Sequence, residues 1–169
     1  MKKLILSAQN KNPDAFAQLI HMFKKDMYRV AKSFLSNDED AADAMQETIL
    51  ICYEKLPMLK KTEYFKTWLI RILINRCKDL LKAGRRYVPL ENMPEEVADD
   101  TTHANVEFMM LMDSLDERYR AVLVLYYSEG FTVGEISKIL DLTESAVKAR
   151  LKRGREKVKS IYEFKGAEK

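Results

Sequence analysis

Apolar residues recur along most of this chain at steps of three and four, the spacing of one face of an α-helix. The first long run is Phe16, Leu19, Ile20, Phe23, Met27, Val30, Ala31 and Phe34. Asn12 and Pro13 stand in front of it as a cap and a first helical residue, so a helix of about six turns is expected. Ser36 and Glu39 have the spacing of a capping box and open a second helix, which runs to about Leu56 before Pro57 ends it. A short loop over residues 58–63 leads to a third helix over about 64–81, stopping near Gly84. Three long helices on short connections predict a compact antiparallel bundle. The opening MKKLILSAQNKN has too short an apolar run, Leu4 to Leu6, for a signal peptide and reads as the start of a helix.

The periodicity fails between residues 87 and 103, where prolines, acids and threonines alternate without order. Such composition buries no core and is expected to be a linker. About 20 residues of extended chain reach up to roughly 60–70 Å. Periodicity resumes near Val106. A helix over 106–115 carries Phe108, Met109, Leu111 and Met112, and another runs from Glu117 to about Tyr127. Gly130 closes a turn, Thr132 and Glu135 form a second capping box, and a short helix follows to Leu140. Asp141, Leu142 and Thr143 make a tight turn before a last helix from Glu144 to about Tyr162. A short helix, a tight turn and a basic helix are the pattern of a helix-turn-helix. The expected organisation is all-α, with two small helical domains at 1–86 and 106–169 and an acidic linker over 87–105.

Composition agrees: helix-forming residues dominate, and there are only five glycines and four prolines. No stretch approaches the roughly 20 apolar residues of a membrane span, so no membrane insertion is expected. Cys52 and Cys77 have no CxxC partner and no nearby His, which predicts reduced thiols and no metal site. His21 and His103 are isolated and no Gly-rich phosphate loop is visible, so neither an enzyme nor a cofactor is expected.

Charge changes the picture once it is divided along the chain. The net value is only +3, yet residues 60–86 hold nine Lys/Arg against Glu63 and Asp79, and residues 145–159 hold seven against Glu156. Residues 88–117 hold no Lys or Arg. Two basic blocks suggest two anion-binding surfaces. On the last helix, Val147, Leu151, Val158 and Ile161 form an apolar stripe, while Ser145, Lys148, Ala149 and Lys152 face away near its N-terminal end. Arg150, Arg153, Arg155 and Lys157 flank them. A hydroxyl, two cations and a methyl suit base edges in the major groove, and flanking cations suit phosphates. A basic helix that merely faces solvent has the same composition. On the third helix, Phe65, Leu69, Ile72, Leu73 and Leu80 make the expected core face, and Trp68, Arg71, Asn75, Lys78 and Lys82 share another. Rings, amides and cations in one stripe suit single-stranded nucleic acid, although a lone tryptophan is as readily a core residue. The second helix shows Asp40, Asp43 and Glu47 with Gln46 adjoining, and no Lys or Arg occurs from residue 33 to 54. A protein partner with a basic surface explains that face better than a metal does.

Taken in this order, the three surfaces resemble those of extracytoplasmic-function sigma factors over almost the whole chain. Asp40, Asp43, Gln46, Glu47 and Thr48 are similar to the family's region 2.2. Residues 65–75, with Phe65, Trp68, Arg71 and Asn75, resemble region 2.3 into 2.4, and the helix-turn-helix resembles region 4. The resemblance implies a specificity subunit of RNA polymerase, acting in the cytoplasm without catalysis of its own. It implies that Asp40, Asp43, Gln46 and Glu47 hold the β′ clamp helices, and that region 4 meets the β flap. It assigns the −10 element to Leu59, Lys60, Trp68, Arg71, Asn75, Lys78 and Lys82, with Arg85 and Arg86 on phosphates. It assigns the −35 element to Ser145, Lys148, Ala149, Arg150, Lys152, Arg153 and Arg155. An anti-sigma factor, often membrane-anchored, is an implied partner. The chain departs from many relatives at Leu59, Lys60, Lys148 and Lys152, so no promoter sequence carries over. A stand-alone helix-turn-helix regulator is the competing expectation.

Overall fold

A computed structural model of the chain describes residues 1–84 and 114–167, with side chains described through 83 and 161. The expected linker, nearly all of the expected helix over 106–115, and Arg85 and Arg86 lie outside the described residues. Among those described, the fold is all-α and contains no strand.

The first half holds four helices: α1 (Lys2–Gln9), α2 (Pro13–Lys32), α3 (Asp38–Lys55) and α4 (Phe65–Gly84). The opening segment is therefore a helix in its own right, which buries Ile5 and Ala8 against α2. Asn12 caps α2 by accepting from the Ala15 N–H at 3.1 Å, and Pro13 occupies the first turn, where no N–H is needed. Phe16, Leu19, Phe23, Met27 and Val30 follow one face of α2 into the core. Each such side chain contributes about 1.5–3 kcal/mol on burial.

The start of α3 departs from the expected capping box. Asn37, not Ser36, is the cap; its Oδ1 accepts from the Asp40 N–H at 2.6 Å and its Nδ2 donates to the Asp40 carboxylate at 2.7 Å. Asparagine and serine cap about equally well, so the backbone geometry of the turn decides between adjacent candidates. The buried face of α3 carries small residues, Ala41, Ala44, Thr48 and Cys52, and α4 packs closely against it. The Thr48 hydroxyl donates to the Ala44 carbonyl at 2.6 Å, which satisfies it within the core. Short 3₁₀ turns at Leu56–Met58 and Thr62–Tyr64 bracket the loop before α4.

The second half holds α5 (Glu117–Leu123), a π turn (Val124–Ser128), α6 (Val133–Leu140) and α7 (Glu144–Ala167). The wide turn closes with the Glu129 N–H donating to the Val124 carbonyl at 3.1 Å, and Gly130 takes a positive φ of 71° to redirect the chain. Thr132 and Glu135 form the expected capping box of α6. Asp141 adopts the left-handed conformation at φ 56°, which aspartate tolerates better than most residues, and Thr143 Oγ1 caps α7 through the Ala146 N–H. On α7, Val147, Leu151 and Gly154 are buried. A Cβ at Gly154 would stand 3.1 Å from Leu123 Cδ1, so glycine lets α7 approach α5.

The two halves pack together. α6 lies on α4 and the π turn lies on α2. The buried side chains of both halves form one continuous cluster. Arg120 Nε donates to the Ser33 carbonyl at the end of α2, at 2.9 Å. No described helix is long and apolar enough to cross a membrane.

Candidate functional site

Three surfaces carry the residues singled out in the sequence. On α3, Asp43, Gln46 and Glu47 are exposed on the side opposite the small-residue face. Asp40 stands apart from them, half-buried, with its carboxylate engaged by Asn37. Arg76 reaches from α4 to within 3.9 Å of Glu47 and also pairs with Asp79. Leu50 is 66% exposed and Tyr53 45%, and both continue the Asp43–Glu47 face at three- and four-residue steps. Leu50 was not singled out in the sequence, though its place off the 41/44/48/52 stripe was a usable signal.

The second surface lies on α4 and its preceding loop. Arg71, Asn75 and Lys82 are exposed, while Lys78 and Trp68 are half-buried. Trp68 packs on the core, its ring centroid 6.1 Å from that of Phe65. The expected core face needs adjustment: Ile70, Ile74 and Cys77 are fully buried beside Phe65, Leu69 and Leu73, whereas Ile72 and Leu80 are only half-buried. In the loop Lys60 is exposed and Leu59 half-buried. Gln9 Nε2 donates to the carbonyls of Leu56 and Leu59, at 3.0 and 2.8 Å, so α1 holds the loop's shape.

The third surface is the outer side of α7. Ser145, Lys148, Ala149, Lys152, Arg153 and Arg155 are exposed, and Arg150 is half-buried. Five cations within two turns of a helix are a strong anion-attracting field. The capping box holds Glu135 as an anion: hydrogen bonds from the Thr132 N–H and hydroxyl lower its carboxyl below the usual range. The thiols of Cys52 and Cys77 are pushed by burial up to about 12, so neither is a reactive group.

Residues 19–87 match the family pattern described as "Sigma-70 region 2", and residues 105–158 match that described as "Sigma-70, region 4". The chain belongs to the sigma-70 family. The region 2 match thus spans α2 from Leu19 onward, α3 and α4, with the acidic face and the α4 stripe, and the region 4 match contains the helix-turn-helix. Within the family the chain is similar to the ECF RNA polymerase sigma factor SigW of Bacillus subtilis, at 27% identity over 92% of this chain and 93% of the relative. Among solved structures it resembles CnrH in complex with the cytosolic domain of CnrY, with 25% identity, a TM-score of 0.70 and 95% of each chain covered. The fold also matches the sigma factor RpoE of Bartonella quintana, solved with the anti-sigma factor NepR: 21% identity, TM-score 0.73, covering 88% of this chain and 96% of that one. The protein is an alternative sigma factor of the ECF kind.

Proposed function

We propose that this sigma factor holds RNA polymerase core through the α3 face and places α4 and α7 on the two promoter elements. Asp43, Gln46 and Glu47 are exposed carboxylates and an amide suited to the basic β′ clamp helices; Asp40 contributes through the cap it forms with Asn37. Arg71, Asn75, Lys78 and Lys82, with Lys60 in the loop, contact the −10 strand, and Trp68 and Leu59 support them from the core side. Ser145, Lys148, Ala149 and Lys152 read −35 base edges, while Arg150, Arg153 and Arg155 meet phosphates. Region 4 meets the β flap. The functional units are residues 1–86 and 106–169, joined by the acidic tether over 87–105. The protein supplies specificity and no catalysis of its own, and works in the cytoplasm. An anti-sigma factor, membrane-anchored in many cases, restrains it, as CnrY and NepR are found with CnrH and RpoE.

The observation that carries this reading is the separation of charge: an acidic face and two basic faces, each exposed, in the two segments that match regions 2 and 4. The experiment is run-off transcription by core polymerase on a randomised promoter library. Promoter-dependent transcripts should appear with the native chain and vanish with Asp43→Lys/Glu47→Lys, while duplex binding by α7 persists. No promoter-dependent transcripts from the native chain, with duplex binding retained, would favour a stand-alone helix-turn-helix regulator; transcripts unaffected by the charge reversal would remove the α3 face from the core contact.

A further inference from the structure

We propose that α1, which lies ahead of the region 2 match, braces the loop before α4, and that Gln9 is a positioning residue for −10 recognition. This rests on the assignment of that loop to the −10 strand. The loop divides its residues by role. Leu56 is buried and Leu59 packs on the core, so these two anchor it. Met58, Lys60, Lys61 and Tyr64 are exposed, and Lys61 lies over the Tyr64 ring at 5.8 Å. Gln9 Nε2 donates to the carbonyls of both anchors, at 3.0 Å for Leu56 and 2.8 Å for Leu59. Both hydrogen bonds are part-buried, so water replaces them poorly.

What the amide fixes is the course of the backbone. The 3₁₀ turn Leu56–Met58 carries on from α3, with the Leu59 N–H donating to the Leu56 carbonyl at 3.1 Å. At Leu59 the chain leaves that path: its φ is −72°, compatible with a helix, but its ψ is 104°, which is extended. A single torsion, roughly 130° from its 3₁₀ value, therefore separates the observed loop from a continued helical turn. Leu59, Lys60 and Lys61 are all good helix formers, so local preference favours the continued turn. That rotation would swing the Leu59 carbonyl away from Gln9 and send Lys60 in another direction. The hydrogen bond from Gln9 thus selects the extended course, and with it the display of Met58, Lys60 and Lys61. The helix that supplies it is anchored in turn, because Ile5 and Ala8 bury α1 on α2, and α1 also touches both 3₁₀ turns. Eight residues are too few for a helix to hold itself in water, so α1 forms through these contacts and the loop is set with it.

The test uses the full chain. Gln9→Met keeps an unbranched side chain of high helix propensity and removes its donors. A nitroxide on Met58→Cys reports the loop in the free protein; the native thiols, buried and pushed up to about 12, will not compete for the label. The nitroxide should be more mobile with Gln9→Met than with native Gln9, at unchanged helicity. In run-off transcription with core polymerase and no label, Gln9→Met should lower discrimination among −10 variants about fivefold, while −35 discrimination and core affinity stay within about twofold. An unchanged nitroxide spectrum, or equal losses at −10 and −35, would overturn the brace. A mobile loop with native −10 discrimination would remove the loop from −10 recognition, and the proposal falls with that assignment. Absence of promoter-dependent transcripts from the native chain marks failure of the sigma-factor reading itself, which the nitroxide spectrum does not depend on.

Discussion

Gln9 in α1 and Leu59 in the loop before α4 are joined by a 2.8 Å hydrogen bond, although 50 residues separate them in the chain. The same amide also serves Leu56, so both of its N–H bonds are directed at the loop backbone. Gln9→Ala leaves two carbonyls without this donor, a loss of about 0.5–1.5 kcal/mol each where water does not replace it. The expected outcome is a small fall in melting temperature and a loosened loop. Promoter selection should show broadened −10 preference with the −35 preference intact. Equal broadening at both elements would mean general destabilisation rather than loop positioning.

Leu50 projects into solvent beside Glu47 and Asp43. An exposed leucine at the end of an acidic stripe gives a partner an apolar contact that water is readily excluded from. Leu50→Ala should weaken core-polymerase binding by about 1–2 kcal/mol, roughly five- to thirtyfold, with thermal stability within about 0.5 kcal/mol of native. Binding measured by fluorescence against immobilised core is the check, and unchanged affinity would remove Leu50 from the interface.

Gly154 lies where α7 meets α5. Helix propensity alone favours replacing it by about 1 kcal/mol, yet the new Cβ would press on Leu123 Cγ and Cδ1 at 3.2 and 3.1 Å. A branched side chain adds bulk that Leu123 or α7 must shift to admit. Gly154→Val should cost about 2 kcal/mol. Chemical denaturation should register the loss and duplex binding should weaken with it. Leu123→Ala in the same chain should recover part of the deficit, because the two substitutions share one space.

The features legible in the sequence were those set by local chemistry. The Asn12 cap, the Thr132–Glu135 box and the Asp141 turn each depend on residues within four positions of one another, and each forms as expected. The all-α character followed from periodicity. What was not legible depends on distant partners. Ile74 is buried and Ile72 half-exposed because α4 packs on two sides, and no helical wheel reveals the second. Glu129 reads as an ordinary turn residue, but its partner Arg29 is 100 positions away. Asp40 reads as one of four equivalent carboxyl and amide groups, and only the choice of Asn37 as cap sets it apart.

The buried Glu129 carboxylate, paired at 3.1 Å with both Arg29 and Lys66 of the first half and close to Asp26, has a pH signature. Burial first, then the Asp26 carboxylate, hold its pKa above the ordinary value of 4.5, against the pull of Lys66 and Arg29. When region 4 leaves, Glu129 returns to water and to its ordinary value. A pKa raised in the closed form means that closure binds the proton more tightly. The contribution is fully present below 4.5 and is lost as pH rises through the raised value. Scattering should therefore show a tighter chain at about pH 5 than at about pH 7.5. Glu129→Gln, neutral at both, should flatten that dependence and be at least as compact as native at the higher pH. A native chain that tightens as pH rises would contradict this sign.

On α7 the two proposed classes of contact separate by salt. If some six phosphates are met, affinity for duplex promoter DNA should fall about 10³-fold between 50 and 200 mM salt. Arg155 is exposed at the flank of the helix, and Arg155→Ala should weaken all sequences alike and lower the logarithmic salt slope by about one. Lys148 is exposed near the N-terminal end, where α7 is expected to enter the groove. Lys148→Ala should cost about 1–3 kcal/mol on the preferred −35 sequence and much less on others, so specificity relaxes at one position. Filter binding across a salt series, with a set of single-base −35 variants, resolves the two. A uniform loss from Lys148→Ala would reassign that lysine to the backbone, because a phosphate contact carries no base preference.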